Sequence, residues 1–306
     1  MTNESVQEMF SRVAAGCPAA PAIERGGRSL TYAELEAESN RLANFLAGAG
    51  AVRGTVVGLF TADPAQVIGG ILGVLKAGAV FVPLDPSFPE HRLGVLSGQA
   101  RPEFFITQAT NLLKLRRVAA DVSSHAKVIC VGAGRGEEAQ PEGHESNGAG
   151  FEVLRDYESY DRTESPGIKS DPDAPCSVYF TSGSTGKPKA ILGRLKGIDH
   201  FVRWEIGAVG SSHGTRVSQL ASPSFDGFLK DAFVPLCSGG VVCAPESRDV
   251  VLDAQGLADW LDAEGVEVLH CVPSVFRSLI NQGLSESYFG SMRWVVLTGE
   301  PLYPAD

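Results

Sequence analysis

Residues 56–82 read VVGLFTADPAQVIGGILGVLKAGAVFV, and the fold class follows from how that stretch must fold. Residues 56–60 form a short apolar run with no polar alternation, the pattern of a strand buried on both faces. Asp63 and Pro64 then open a helix as N-cap and first helical residue, a position where the missing proline N–H costs nothing. Val67, Ile71, Val74 and Leu75 recur at helical spacing, Gly78 stops the helix, and residues 79–82 are again strand-like.

The same rhythm extends in both directions. Upstream, Thr31 and Glu34 have the spacing of a capping box, and Leu35, Leu42, Phe45 and Leu46 share one face of a helix that Gly48 and Gly50 end. Downstream, a helix is predicted near 90–97, a strand at 104–107, a helix near 112–120 and a strand at 128–131. From 132 to 175 the chain turns rich in Gly, Glu, Asp and Ser, a solvated surface loop with one short element at 151–154. Strands then follow at 176–181, 190–196, 217–220, 241–244, 266–271 and 294–297. Helices fill 198–209, 228–236, 252–264 and 274–282. Alternating helices and apolar strands predict an α/β architecture: two sub-lobes of mainly parallel sheet, each covered by helices on both faces. The sub-lobes are placed at about 1–131 and 176–306, separated by the acidic, glycine-rich loop 132–175.

Composition narrows the function. With 306 residues, 43% hydrophobic and 20% charged, the chain can bury a sizeable core. A formal charge of −10 argues against general nucleic-acid binding but leaves room for a local basic pocket. Cys17, Cys130, Cys176, Cys237, Cys243 and Cys271 are scattered, without a C-x-x-C pair or histidines at ligand spacing, so no zinc site is expected. Residues 1–10 lack the layout of a signal peptide, and no apolar run is long enough to span a bilayer. The expectation is a reduced, soluble, cytoplasmic protein without a membrane partner.

Residues 178–189, VYFTSGSTGKPK, carry the chemistry. An apolar run feeds a loop with the hydroxyls of Thr181, Ser182, Ser184 and Thr185, the glycines Gly183 and Gly186, and the lysines Lys187 and Lys189. Glycines let backbone amides approach an anion, hydroxyls donate hydrogen bonds and lysines supply charge, which suits the β- and γ-phosphates of a nucleotide. It is not a Walker A loop, because Thr181 stands at the first glycine position and Pro188 follows Lys187. On residue types alone, a polar surface turn remains the other reading.

This motif resembles the phosphate loop of the adenylate-forming superfamily, the AMP-dependent synthetases and ligases, with Ala190 where the family usually has Gly. The resemblance extends to LTYAEL at 30–35 and to LKAGAVFVPLDP at 75–86, followed by Phe88, Pro89 and Arg92. Read as residues, these two stretches are a capped helix and a helix–strand–turn, scaffold rather than chemistry. Ser224-Phe225-Asp226-Gly227 is similar to the F-D-x-S segment of nonribosomal peptide synthetase adenylation domains, with Phe228 in place of the usual Ser.

By that resemblance Asp226 pairs with the substrate's α-ammonium group, Phe225, Gly227 and Lys230 line the side-chain pocket, and Leu297 sits opposite. Lys230 hints at an acidic or strongly polar substrate, or else points to solvent. Asp226 also reads as a helix N-cap. Residues 297–302, LTGEPL, are similar to the family's x-x-G-G-E-x-L turn.

The resemblance implies the large N-terminal lobe of the adenylate-forming fold and ATP-dependent, Mg2+-assisted conversion of an amino acid to its aminoacyl-adenylate. The acyl group then passes to the phosphopantetheine thiol of a peptidyl-carrier domain. Residues 1–306 hold no counterpart of the family's Tyr-Gly-Pro-Thr-Glu segment, its ribose-binding aspartate or its lysine-bearing C-terminal lobe. The chain is therefore expected to be a partial, inactive copy, with no catalytic lysine and no metal ligand assigned. A carboxylic-acid:CoA ligase and a non-catalytic remnant are the other readings. Gly132, Gly134 and Gly136 lack dinucleotide-binding spacing. His200, Trp204 and Glu205 read as structural, and Cys237 and Cys243 have no base placed to activate them.

Overall fold

The computed structural model describes residues 4–119, 126–131, 151–154, 157, 159–182, 188–283 and 288–303. Most of the loop expected at 132–175, including Gly132, Gly134 and Gly136, lies outside the described residues, as do residues 183–187.

In chain order, helix α1 (Val6–Gly16) leads to β1 (Pro21–Arg25), β2 (Arg28–Thr31) and α2 (Tyr32–Gly48). Then come β3 (Val56–Phe60), α3 (Pro64–Lys76), β4 (Val80–Pro83), α4 (Glu90–Ala100), β5 (Phe104–Thr107) and α5 (Leu112–Ala119). Strands β6 (Lys127–Cys130), β7 (Glu152–Leu154), β8 (Pro175–Ser182) and β9 (Pro188–Arg194) follow. Next are α6 (Leu195–Val209), β10 (Arg216–Ser218), α7 (Gly227–Leu236), β11 (Val241–Ala244) and α8 (Asp249–Leu252). The described elements close with α9 (Ala254–Ala263), β12 (Val268–Cys271), α10 (Pro273–Ile280) and β13 (Trp294–Leu297).

These elements form two compact units, one of residues 36–197 and one of residues 1–35 with 198–306. The first holds a sheet in the order β7-β6-β5-β3-β4-β8-β9, parallel except for β9. Its central strands are buried on both faces, as their unbroken apolar runs require. Phe60, Phe81 and Phe105 are fully buried, each contributing about 2–3 kcal/mol by leaving water. Gly58 is needed beneath Phe105, since a Cβ there would lie 2.7 Å from the ring. Asp63 caps α3 as expected, its carboxylate accepting the Gln66 N–H at 3.1 Å.

Lys76 ties α3 to α2 within this unit. Its buried ammonium donates to Glu36 Oε2 at 2.6 Å, Ser39 Oγ at 2.8 Å and Asn40 Oδ1 at 2.8 Å. Burial pulls the lysine pKa down, and the Glu36 carboxylate opposes that without cancelling it. The lysine of the LKAG stretch is thus scaffold.

The second unit holds a sheet in the order β13-β12-β10-β11-β1-β2, parallel except for β2. Helix α1 and the strands β1 and β2 are absent from the sequence reading. Helix α1 begins where the Ser5 N–H donates to Glu8 Oε2 at 2.8 Å, half of a capping box. The β1–β2 hairpin turns through Gly26 and Gly27 at φ 54° and 73°, a conformation that glycine adopts without steric cost. Tyr32, which follows β2, is fully buried and donates its hydroxyl to Gly240 O at 2.7 Å.

Sheet membership does not follow the division at 1–131 and 176–306. Ala22 and Ile23 are buried and need a neighbour on each side of β1, which β11 and β2 supply. β8 lies parallel to β4, so residues 175–194 complete the sheet of the other unit. Residues 132–151 connect β6 to β7, neighbours in one sheet, and the whole segment 132–175 falls within one unit, so it is not a boundary between units.

Glu36→Ala leaves the buried Lys76 ammonium without its counter-charge and is expected to lower stability by about 2–3 kcal/mol. Lys76→Met, which removes the charge and keeps the volume, is expected to cost less. Urea unfolding midpoints check both, and an unchanged midpoint in Glu36→Ala would show the pair contributes nothing.

Candidate functional site

Two separate groups of residues have the chemistry for a site. The first is the β8–β9 hairpin. Its ladder runs from Pro175↔Arg194 to Thr181↔Lys189 and Ser182↔Pro188. Residues directly opposite on antiparallel strands share a face, so Thr181 and Lys189 stand together, both exposed. The Gln99 side chain donates to Pro188 O at 2.7 Å and holds the start of β9. Gly183, Ser184, Thr185, Gly186 and Lys187, which join the strands, lie outside the described residues.

The second is a cavity of about 450 Å3 in the other unit. It opens beyond the carboxyl ends of three adjacent parallel strands, where ligands collect on open α/β sheets. Leu220, Ala221 and Ser222 follow β10; His270, Cys271 and Val272 end β12; Thr298, Gly299 and Glu300 follow β13. Phe225, Asp226, Gly227, Lys230 and Asp231 come from the start of α7, and Arg248 and Val251 from the region of α8.

Phe225 and Asp226 are exposed at this cavity. Asp226 precedes α7 but makes no side-chain capping bond, and among the described residues its carboxylate has no ion-pair partner. Lys230, one helical turn on, is only 5% exposed. Its ammonium points to the cavity wall and donates to Thr298 Oγ1 at 2.7 Å, so it does not point to solvent.

Leu297, expected opposite the pocket, is not among the residues that line this cavity. It pairs with Cys271 and packs with Leu269, Leu279 and their neighbours, away from the cavity lining. Successive residues of an extended chain face opposite ways, and Thr298 is the residue that meets Lys230.

Sequence reasoning also missed the charged cluster behind the cavity. His270 Nδ1 lies 3.1 Å from Asp231 Oδ1, and its Nε2 lies 2.9 Å from Glu205 Oε1, all three side chains at most 3% exposed. The second contact is an ion pair without good hydrogen-bond alignment. Asp231 Oδ2 accepts the N–H groups of Leu220 and Ala221 at 3.1 and 3.0 Å and so shapes the cavity wall. Burial alone would lower the imidazole pKa, but the contacts with Asp231 and Glu205 and their charges outweigh it and hold it above the ordinary range. A histidine inside the apolar run at 266–271 was the available signal; its partners lie on α6 and α7 and are not legible from it. Glu205 on α6 is thus structural, as expected, while His200 and Trp204 beside it are exposed.

Glu300 accepts from Ser274 N at 2.9 Å and Ser274 Oγ at 2.8 Å, which fastens the turn after β13 to the start of α10. The cysteines offer no nucleophile. All six are free thiols, burial pushes Cys243 and Cys271 up to about 12, and Cys237 is raised further. Among the described residues no cluster of three or more His, Cys, Asp or Glu side chains could hold a metal ion, and no helix is long and apolar enough to cross a membrane.

A family model described as AMP-binding enzyme matches residues 10–306. CymA of Salinispora arenicola, described as a non-canonical nonribosomal peptide synthetase, is 30% identical over 302 residues, 98% of this chain and 4% of that protein. The nonribosomal peptide synthetase FmoA3, solved with alpha-methyl-L-serine-AMP bound, superposes with a TM-score of 0.77 at 23% identity, over 97% of this chain and 30% of that one. A Rhodopseudomonas palustris protein described as a long-chain-fatty-acid CoA ligase superposes with a TM-score of 0.78 at 16% identity, over 97% of this chain and 70% of that one. Both superpositions speak for the fold. The chain spans a small part of the length of the curated relatives it matches.

The raised imidazole pKa has a consequence for stability. A group that holds its proton more tightly when folded stabilises the fold fully below the unfolded value of about 6.5, and that contribution is lost as pH rises through the folded pKa. The stability gap between the wild type and His270→Gln is therefore expected to be widest below about pH 6.5 and to narrow as pH rises. Urea midpoints across the pH range check this; a gap that does not change with pH would mean that the charge of His270 contributes nothing.

Proposed function

This chain belongs to the AMP-binding enzyme family, and from that premise we propose that it serves the ATP-dependent activation of an amino acid as its aminoacyl-adenylate in nonribosomal peptide synthesis. The choice of an amino acid rests on Asp226. Its carboxylate stands at the cavity without a capping bond or an ion-pair partner among the described residues, free to receive an ammonium group. A fatty or aryl acid would leave that charge unused. The likeness to the peptide synthetase CymA over nearly the whole chain supports the same choice.

In this reading the ammonium pairs with Asp226, and Phe225, Gly227 and Lys230 border the substrate side chain. Thr181, Ser182, Gly183, Ser184, Thr185, Gly186, Lys187 and Lys189 bind the β- and γ-phosphates of ATP through hydroxyls, amides and ammonium groups. A substrate carboxylate oxygen attacks the α-phosphorus, the bond to the bridging oxygen of pyrophosphate breaks, and pyrophosphate leaves. Mg2+ carried on the nucleotide phosphates would supply charge neutralisation there; no residue of this chain is assigned to hold it. The chain's own contribution is positioning and charge complementarity, which supply much of the rate in phosphoryl chemistry. The acyl group would then pass to the phosphopantetheine thiol of a carrier domain in the cytoplasm, the acyl–phosphate bond breaking and AMP leaving as the thioester forms and the thiol gives up its proton.

The protein carrying this chain is expected to exchange pyrophosphate with ATP when an amino acid is present. Asp226→Ala should reduce that exchange at least about tenfold through loss of a charge-assisted hydrogen bond. The unfolding midpoint should stay unchanged, because the carboxylate supports no neighbour. Undiminished exchange in the variant, or exchange driven equally well by simple carboxylic acids, would overturn the reading.

A further inference from the structure

We propose that the amino acid this cavity accepts carries a carboxylate on a short side chain, with Lys230 as its counter-charge; the inference rests on the amino-acid reading above. Lys230 is 5% exposed and Lys76 is 7% exposed, so the chain buries two lysines to the same degree. Lys76 is saturated by its own scaffold, with a carboxylate, a hydroxyl and an amide oxygen around the ammonium. Lys230 has a single hydrogen-bond partner among the described residues, the Thr298 hydroxyl at 2.7 Å, and no ion-pair partner. An ammonium has three donors, and a buried charge without a counter-ion is costly. Two donors of Lys230 are left for the contents of the cavity.

The carboxylates of the cavity wall cannot supply the missing charge. Asp231 is committed through one oxygen to His270 and through the other to the amides of Leu220 and Ala221. Glu300 is committed through both oxygens to Ser274. Asp226 alone keeps its carboxylate, and it is exposed where Lys230 is buried.

Asp226 and Lys230 stand four residues apart on one helical face, a separation of about 5–6 Å between their Cβ atoms. An acidic amino acid carries an ammonium and a side-chain carboxylate a few bonds apart, one for each of these two charges. Its ammonium meets Asp226 at the mouth, and its side-chain carboxylate meets Lys230 deeper in. Thr298 oxygen accepts from Lys230, so its own hydrogen remains to donate to the same carboxylate. Leu220, Val272 and Val275 make this part of the wall apolar, which strengthens an ion pair relative to water.

Calorimetric titration of the full chain with L-aspartate, L-glutamate and their neutral isosteres L-asparagine and L-glutamine tests this. The better acid is expected to bind about ten- to a hundredfold tighter than its amide. Lys230→Met should abolish that preference, with Thr298→Val as an independent variant that weakens it. An amide that binds as tightly as its acid, or a preference that survives in Lys230→Met, overturns the inference and leaves the amino-acid reading intact. Binding of none of the twenty standard amino acids overturns that reading itself and this inference with it.

Discussion

Asp231 is fully buried, and each of its carboxylate oxygens has a separate task. One oxygen fixes the ring of His270 at the end of β12, and the other receives two consecutive amides at the exit of β10. The cavity wall therefore depends on a charge inside α7, a helix whose residues from Phe228 to Leu236 are all buried. A buried carboxylate persists only if its lone pairs are filled, and here backbone amides and an imidazole fill them. His270 is held in turn by Glu205, so α6, α7 and β12 are linked through one ring.

That arrangement separates two neighbouring charges on α7. Asp231 faces the sheet and is spent on structure, whereas Lys230 faces the cavity and meets one hydroxyl. A helix buried on every side has no solvent face on which to carry idle charge. A charged residue there is either matched by the protein or left for a ligand; Asp231 is matched, and the proposal above assigns Lys230 to a ligand.

The limits of the sequence reading follow the same physics. Strands at 56–60, 104–107, 241–244 and 294–297 were legible to the residue, because wholly apolar runs between turn residues have no other stable placement. The β1–β2 hairpin was not, since its five- and four-residue strands are half exposed and their partner β11 lies far along the chain. At the cavity, Phe225, Asp226, Gly227 and Lys230 were legible through a local motif. One residue past Leu297, Thr298 lines the cavity, because side chains alternate along an extended chain. His270 and Asp231 escaped altogether; a buried ion cluster assembled from three elements leaves no spacing in the sequence.

The character of the thiols fits a site that works by charge placement. Cys271 lines the cavity, yet burial holds its thiol protonated at about 12 even though the nearby Lys230 charge favours the thiolate. The Lys230 charge lowers that pKa without overcoming burial. In the proposed reaction the attacking carboxylate needs no activated protein nucleophile, for it arrives ionised and requires orientation and a matched field. Asp226 at the mouth and Lys230 in the wall are two points of opposite sign, and in the proposed reading they set the direction in which a small zwitterion would lie.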